Sequence, residues 1–522
     1  MKKIQLYLFI GLLTMLSATS CKKFLDVNKN PNDPISATPE LMLPQSIVRT
    51  ASLMVGLNDY GARLMGYEAN AGGVSGWGSF VSYNYTTGDF ASLFYNGFKA
   101  NEDLQEVINL SRKDSTHNTF IAAAQILKAF NFQSLVDVYN DIPYTDALKG
   151  KGVLQPKYDK AEDIYKALAD SLDVSMAILS ANSTSSAFKS SDPLFKGDIN
   201  QWIRFANTIK LRLILRANGK VQFSNTTFNS LGFLTTDAIV NPGYTKIDGK
   251  QNPTWTTWAY DAAGTPPTAA SQRIPTPYIL AFYNKTKIAD TKRANLVFNK
   301  GLEVPTNQLG YQGDDAKKGP TPSAWFAGTD AKTYDNIGIL KGPDMGQPIM
   351  LASESYFLQA QANLKGILGS VNDAKANFKA GVVASFNYLE KDNTGAIHTG
   401  NNPQADFDAY VAANIDNYLV NIDVATTNTE ILEAIVTQEY IANNMIMGHQ
   451  SWFEYLRTGY PMISGANNTS NKTGTFVSIT SESTAPDKLP TRLLYPANEY
   501  SYNEKSIPTG INAFTSKIFW AK

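Results

Sequence analysis

The stretch ESYFLQAQANLKGILGSVNDAKANFKAGVVASFNY, residues 354–388, constrains the fold of this chain more than any other. Leu358, Ala362, Ala374, Phe378 and Gly381 stand at five offsets where a tetratricopeptide helix pair wants large or small side chains. Small residues let the two helices approach closely, and the aromatic fills the groove between repeats. Other antiparallel helix pairs carry the same pattern, and no neighbouring copy at a spacing of about 34 residues is obvious. The spacing therefore predicts degenerate helix pairs within a larger helical body, not a regular solenoid.

Apolar residues recur at 3–4 spacing over Leu41–Leu57, Ala91–Leu110, Phe120–Tyr139, Ala161–Leu179 and Trp202–Ala217, which predicts helices there. In the last, Trp202, Phe205, Ile209 and Leu213 line one face while Arg204, Lys210, Arg212 and Arg216 occupy others. From about 218 to 348 Gly, Pro, Asn, Thr and isolated aromatics dominate, with one short helix expected over Pro277–Asn284. Helices resume over Ile349–Leu389 and Thr429–Leu456, and the tail from Ser464 is again loop-rich. The expectation is a mostly α body over 40–522, built of tetratricopeptide-like helix pairs in an α-α superhelix with an irregular region packed on them.

The N-terminus reads as a leader. Lys2 and Lys3 precede a mostly apolar run from Ile4 to Leu16, then Ser17, Ala18, Thr19 and Ser20, then Cys21. A secretory h-region needs roughly 7–15 apolar residues, against about 20 for a membrane-spanning helix. A cysteine just after small residues is where bacterial lipoprotein processing cuts. Cys21 is the chain's only cysteine, so it has no partner for an intramolecular disulfide. Residues 1–20 are therefore expected to be a lipoprotein signal peptide, Cys21 the lipidation site, and 21–39 a polar, Pro-punctuated tether.

Composition excludes several functions. The 522 residues balance 46 Lys+Arg against 46 Asp+Glu, unlike the basic footprint of a nucleic-acid binder. The three histidines, His117, His398 and His449, lie far apart in sequence, which argues against a His-based metal site or triad. Asp26-x-Asn28-x-Asn30 begins like a calcium loop, but Pro31 occupies the place needing Gly and Ala37 the place needing Glu. No metal or cofactor is expected. A glycosidase would need two carboxylates roughly 5–9.5 Å apart. Glu354, Glu433, Glu439 and Glu454 are available, but all lie in helix-forming stretches where bridging to Arg or capping is the better expectation.

Six phrases, in order along the chain, carry a resemblance. They are CKKFLDVNKNPNDP from Cys21, VDVYNDIPYTDAL from Val136, WIRFANTIKLRLILR from Trp202, IMLASESYFLQAQA from Ile349, SWFEYLRTGYP from Ser451 and RLLYPANEYSYN from Arg492. Together they resemble the SusD/RagB family of Bacteroidetes outer-membrane lipoproteins, in particular its SusD-like branch. KIADTKRANLVF (Lys287–Phe298) departs from the family's Asp-Pro-Arg element, and Lys22 and Lys23 depart from its commonly acidic surface-export signal.

The resemblance implies a scaffold of four tetratricopeptide-like pairs and a non-catalytic, cell-surface glycan-capture lipoprotein at the outer membrane. Its implied partner is a TonB-dependent, SusC-like transporter. A peptide-binding, RagB-like receptor is the alternative, and a surface glycoside hydrolase the more distant one.

Sugars present C–H faces and hydroxyl edges, which aromatic rings and polar side chains complement. Two loop clusters fit. GGVSGWGSFVSYNYTTGDF offers Trp77, Tyr83, Asn84 and Tyr85, and the irregular middle offers Trp255, Trp258 and Trp325. These are the candidate ligand-binding residues. The competing expectation is that the rings anchor long loops to the scaffold. Trp202, Trp452, Trp520, Arg457, Arg492 and Glu499 read as structural, and His449 as a capping or packing residue.

Overall fold

Each apolar-periodic stretch is a helix in the computed structural model, which describes residues 37–74, 77–313, 323–328, 336–465 and 467–522. The expected leader, Cys21 and most of the tether lie outside the described residues. The long helices are α1 (Pro39–Leu64), α2 (Ala91–Ser111), α3 (Asn118–Tyr139), α4 (Ala161–Ser180) and α5 (Ile199–Ala217). After the irregular middle come α6 (Ala352–Leu364), α7 (Val371–Glu390), α8 (Pro403–Ala413), α9 (Asn428–Ala442) and α10 (Gly448–Thr458). Local chemistry sets several ends. The Asp198 carboxylate accepts from the Gln201 amide to start α5, and Asn218 ends it in the left-handed region. Reciprocal capping boxes, Ser370 with Asp373 and Thr427 with Glu430, open α7 and α9.

Each of α1 to α5 packs on the next, and α5 then meets α6. Helix α6 packs on α7 and α9, α9 on α10, and α10 returns to α1, so the path of helices closes on itself. Residues Pro39–Lys522 form one compact unit. The mostly α class is as expected. Among the described residues, the strands make only two-stranded antiparallel pairings: Ala69–Asn70 with Arg273–Ile274, Ile142–Pro143 with Tyr158–Asp159, and Ala238–Val240 with Gln347–Met350.

The pattern over 354–388 resolves into α6 and α7, divided at Gly366, whose φ of 69° only glycine adopts cheaply. Leu358 and Ala362 pack with Leu211 and Leu215 of α5 in a small cluster of their own.

Two expectations shift. Ile349 and Met350 lie in a strand, not in the helix that follows. The helix at Pro277 stops at Leu280. On α5, Lys210, Arg212 and Arg216 stand off the apolar face and are buried all the same. The reason is pairing: Lys210 reaches Asp173 at 2.7 Å, Arg212 reaches Glu354 at 2.8 Å and Arg216 reaches Asp137 at 2.5 Å. Paired and hydrogen-bonded charge can be buried where isolated charge cannot.

Candidate ligand site around Arg273

The first aromatic loop begins where α1 runs out. Its last turns carry Asp59 and Arg63 at i, i+4 spacing, joined at 2.8 Å. The chain then turns at Gly66, where φ is 65° and a β-carbon would stand 2.2 Å from Cβ of Phe476. Only glycine fits both the backbone and the space. Glu68 follows, then the strand Ala69–Asn70, which pairs with Arg273–Ile274 in the register Asn70 to Arg273. That short ladder brings Arg273 to Asp59, with which it forms an ion pair, and within 3.4 Å of Glu68. Arg63 meets Glu68 at 3.0 Å.

Rings close around the four charges. The Arg273 guanidinium lies 4.9 Å from the centroid of Trp258 and 5.7 Å from that of Trp77. The Arg63 guanidinium lies 4.3 Å from Phe80 and 5.7 Å from both Trp77 and Phe90. Trp258 packs edge-on to Trp325 with centroids 5.1 Å apart. The Trp325 indole N–H is buried and finds no hydrogen-bond partner among the described residues.

Electrostatics divide the two carboxylates. Burial would raise Asp59, but Arg63 and Arg273 outweigh it and hold its carboxyl below the usual range. Glu68, fully enclosed, is pushed up by burial against the pull of Arg273 and Arg63. Asp59 keeps 32% of its side chain exposed and Arg273 17%. The solvent-facing part of the cluster is therefore charged, with Trp77, 8% exposed, at its margin.

The structure thus gathers Trp77, Trp258 and Trp325 into one cluster and leaves Trp255 beside Tyr260, centroids 6.2 Å apart. Trp255, Trp258, Trp325, Tyr83 and Tyr85 are all buried and offer no ring face to solvent in this conformation. Long-range anchors explain why. The Ser478 amide donates to the Tyr83 hydroxyl at 3.1 Å, the Glu482 amide to the Ser82 carbonyl at 2.8 Å, and Tyr85 packs on Phe90. Asn84 is exposed, and its amide group donates to Glu482 at 2.8 Å. Sequence reasoning missed Asp59, Arg63, Glu68 and Arg273. The Asp59–Arg63 spacing just before a Gly-rich aromatic loop was the available signal; nothing local pointed to Arg273.

The helix carboxylates are enclosed elsewhere. Arg457 bridges Glu454 and the Gln361 side chain, whose amide group in turn donates to Glu439 at 3.2 Å. Burial and the neighbouring Glu454 and Glu354 raise Glu439 well above its ordinary value. Glu433 accepts from the Tyr418 hydroxyl at 2.8 Å. His449 is fully buried, as a packing residue would be. Among the described residues no group of three or more His, Cys, Asp or Glu side chains could hold a metal ion, and no helix is long and apolar enough to cross a membrane.

A closed helical scaffold presenting an aromatic-lined, charge-neutralised cluster at one loop junction is the build of a binding protein. Residues 31–496 match the SusD-like family described as starch-binding and associating with the outer membrane, and the chain belongs to that family. Its fold is similar to that of a chitin-binding protein, with TM-score 0.66 and 21% identity over 92% of this chain and 99% of the other. A chitin-binding SusD homologue from Flavobacterium johnsoniae gives TM-score 0.64 and 19% identity over 92% and 98%. A SusD homologue from Bacteroides uniformis gives 0.64 and 21% over 92% and 99%. No curated protein matches the sequence significantly.

Proposed function

We propose that this protein is a non-catalytic glycan-capture subunit at the outer membrane, anchored through a lipid on Cys21 and passing oligosaccharide to a TonB-dependent transporter. The observation that carries the reading is the convergence of Trp77, Trp258, Arg63, Arg273 and the half-open Asp59 at one junction. Asp59 and Arg273 offer an acceptor and donors for sugar hydroxyls, and Trp77 borders them. Trp258 backs Arg273 and Trp325 backs Trp258, while the buried Trp255, Tyr83 and Tyr85 would meet ligand only on a rearrangement of their loops. The family's starch-binding description and the chitin-binding structural relatives support a saccharide as the cargo.

One observation favours a peptide receptor instead: the exposed groups of the cluster are charged while its indoles are buried. Calorimetry separates the two. Chito- and malto-oligosaccharides and a panel of short peptides are titrated into wild type and Trp77→Ala. Glycan heats weakened at least tenfold by Trp77→Ala support glycan capture. Heats from peptides alone would replace it, and turnover of a bound glycan would make the protein a hydrolase.

A further inference from the structure

All seven tryptophans are buried, yet the chain does present ring faces to water at one other place. Helix α2, the segment after Pro143 and the short helix Ala497–Tyr502 enclose a groove of about 410 Å³, within the range of small-molecule sites. Tyr502 is 73% exposed there and Tyr95 38%. Neither ring is loose on its backbone. The Gln155 side chain donates to the Tyr502 carbonyl at 3.1 Å, and the Asn503 amide donates to the Glu499 carbonyl at 2.9 Å.

A second, independent feature sits at the same place. Asn503 lines the groove, is 3% exposed, and donates its side-chain amide to the Pro156 carbonyl at 2.9 Å. Its Oδ1 has no hydrogen-bond partner among the described residues. A buried acceptor left empty costs roughly 1–3 kcal/mol, so a site that keeps one gains from a ligand donor. The charges nearby largely cancel: Lys99 pairs with Glu102 at 2.9 Å and Lys149 with Asp146 at 2.8 Å, which leaves Glu499, hydrogen-bonded by the Tyr158 hydroxyl at 2.7 Å. That balance suits a neutral ligand better than an ionic one.

We infer that this groove is a second carbohydrate site, taking a neutral sugar whose C–H face lies on Tyr502 and whose hydroxyl donates to Asn503 Oδ1. The inference rests on the glycan reading above, at a place separate from the Arg273 cluster. Two sites of modest strength on one body hold a long chain more tightly than either alone, because the second contact is intramolecular.

Hydrogen-exchange mass spectrometry with maltoheptaose and with chitohexaose tests it on the full-length chain. The expected result is protection of segments 143–156 and 497–503 in addition to segments around 59–77 and 273. In Tyr502→Ala the groove signal should weaken three- to tenfold in affinity while the Arg273 signal is unchanged. Tyr502 is too exposed for its loss to unfold the protein, and an unchanged melting midpoint checks this. Protection confined to the Arg273 segments would overturn the second site and leave glycan capture standing. Groove protection by peptides but by neither saccharide would also overturn it. No protection and no heat from any glycan would sink both readings.

Discussion

Gly381 on α7 faces the ring of Phe357 on α6 so closely that a β-carbon at 381 would stand 2.7 Å from the ring edge. The Phe357 ring cannot retreat freely, since it is fully buried and packs edge-on to Phe378, centroids 6.5 Å apart. Gly381→Val should therefore destabilise the protein by about 1–3 kcal/mol, the usual cost of overpacking. Urea unfolding of the variant and wild type measures this. A variant as stable as wild type would mean the pair packs less tightly than described.

Arg273 balances two carboxylates at once. Arg273→Lys keeps the charge but loses the planar guanidinium that lies against Trp258 while its Nη1 meets both Asp59 and Glu68. Glycan affinity should fall at least tenfold while the fold survives. Arg273→Met should also lower stability, because it leaves Asp59 and Glu68 to share Arg63 alone; breaking a buried pair costs about 3–5 kcal/mol, less here because Arg63 remains and Asp59 is partly solvated. Equal binding by wild type and Arg273→Lys would remove the guanidinium from the site.

Cys21→Ala should leave a folded, ligand-competent protein that no longer partitions with the membrane fraction. Unfolding of this variant, or its retention in membranes, would rule out the tethering role proposed for Cys21.

His449 predicts an acid-side loss of stability. Burial, aided by Arg212 and Arg216, brings its pKa down to about 3. Between 6.5 and about 3 only the unfolded chain binds the proton, so stability falls as pH falls, by on the order of 1.4 kcal/mol per unit. Denaturation from pH 7 to 4 should show this slope in wild type and a shallower one in His449→Leu. Identical slopes would contradict the burial of a neutral imidazole.

Glu390 predicts the opposite trend. Its carboxyl is enclosed, with Asp406 close by and Lys292 3.9 Å away; burial first and then Asp406 push it up to about 7. Between 4.5 and about 7 the folded protein keeps a proton that the unfolded chain gives up, so this contribution is lost as pH rises. Glu390→Gln should compare more favourably with wild type at pH 8 than at pH 4. A stability difference that does not change with pH would reject the shifted carboxyl.

Much of the scaffold was legible because helix formation and capping are local. The 3–4 spacing of Trp202, Phe205, Ile209 and Leu213 and the offsets of Leu358 to Gly381 act within a few residues or one helix pair. The fate of α5's basic side chains was not legible, since Asp137, Glu354 and Glu454 come from distant helices. The aromatic loops were picked out for their glycines, which remove sequence neighbours that would bury a ring. Burial came instead with anchors such as Ser478 and Glu482, far along the chain. Trp77 and Trp258 were legible as candidates in two separate loops, but neither their meeting nor the guanidinium between them was. Only the pairing of Asn70 with Arg273 puts it there.

That two-residue ladder joins groups 214 residues apart, Asp59 and Arg273. Whatever is made before residue 273 holds Asp59 and Glu68 with one guanidinium between them, and lacks Trp325 behind Trp258. An unfinished or clipped molecule then lacks the assembled cluster that the proposed capture needs. Quality control is in this sense written into the site, because capture is possible only for a chain that has brought its two halves together.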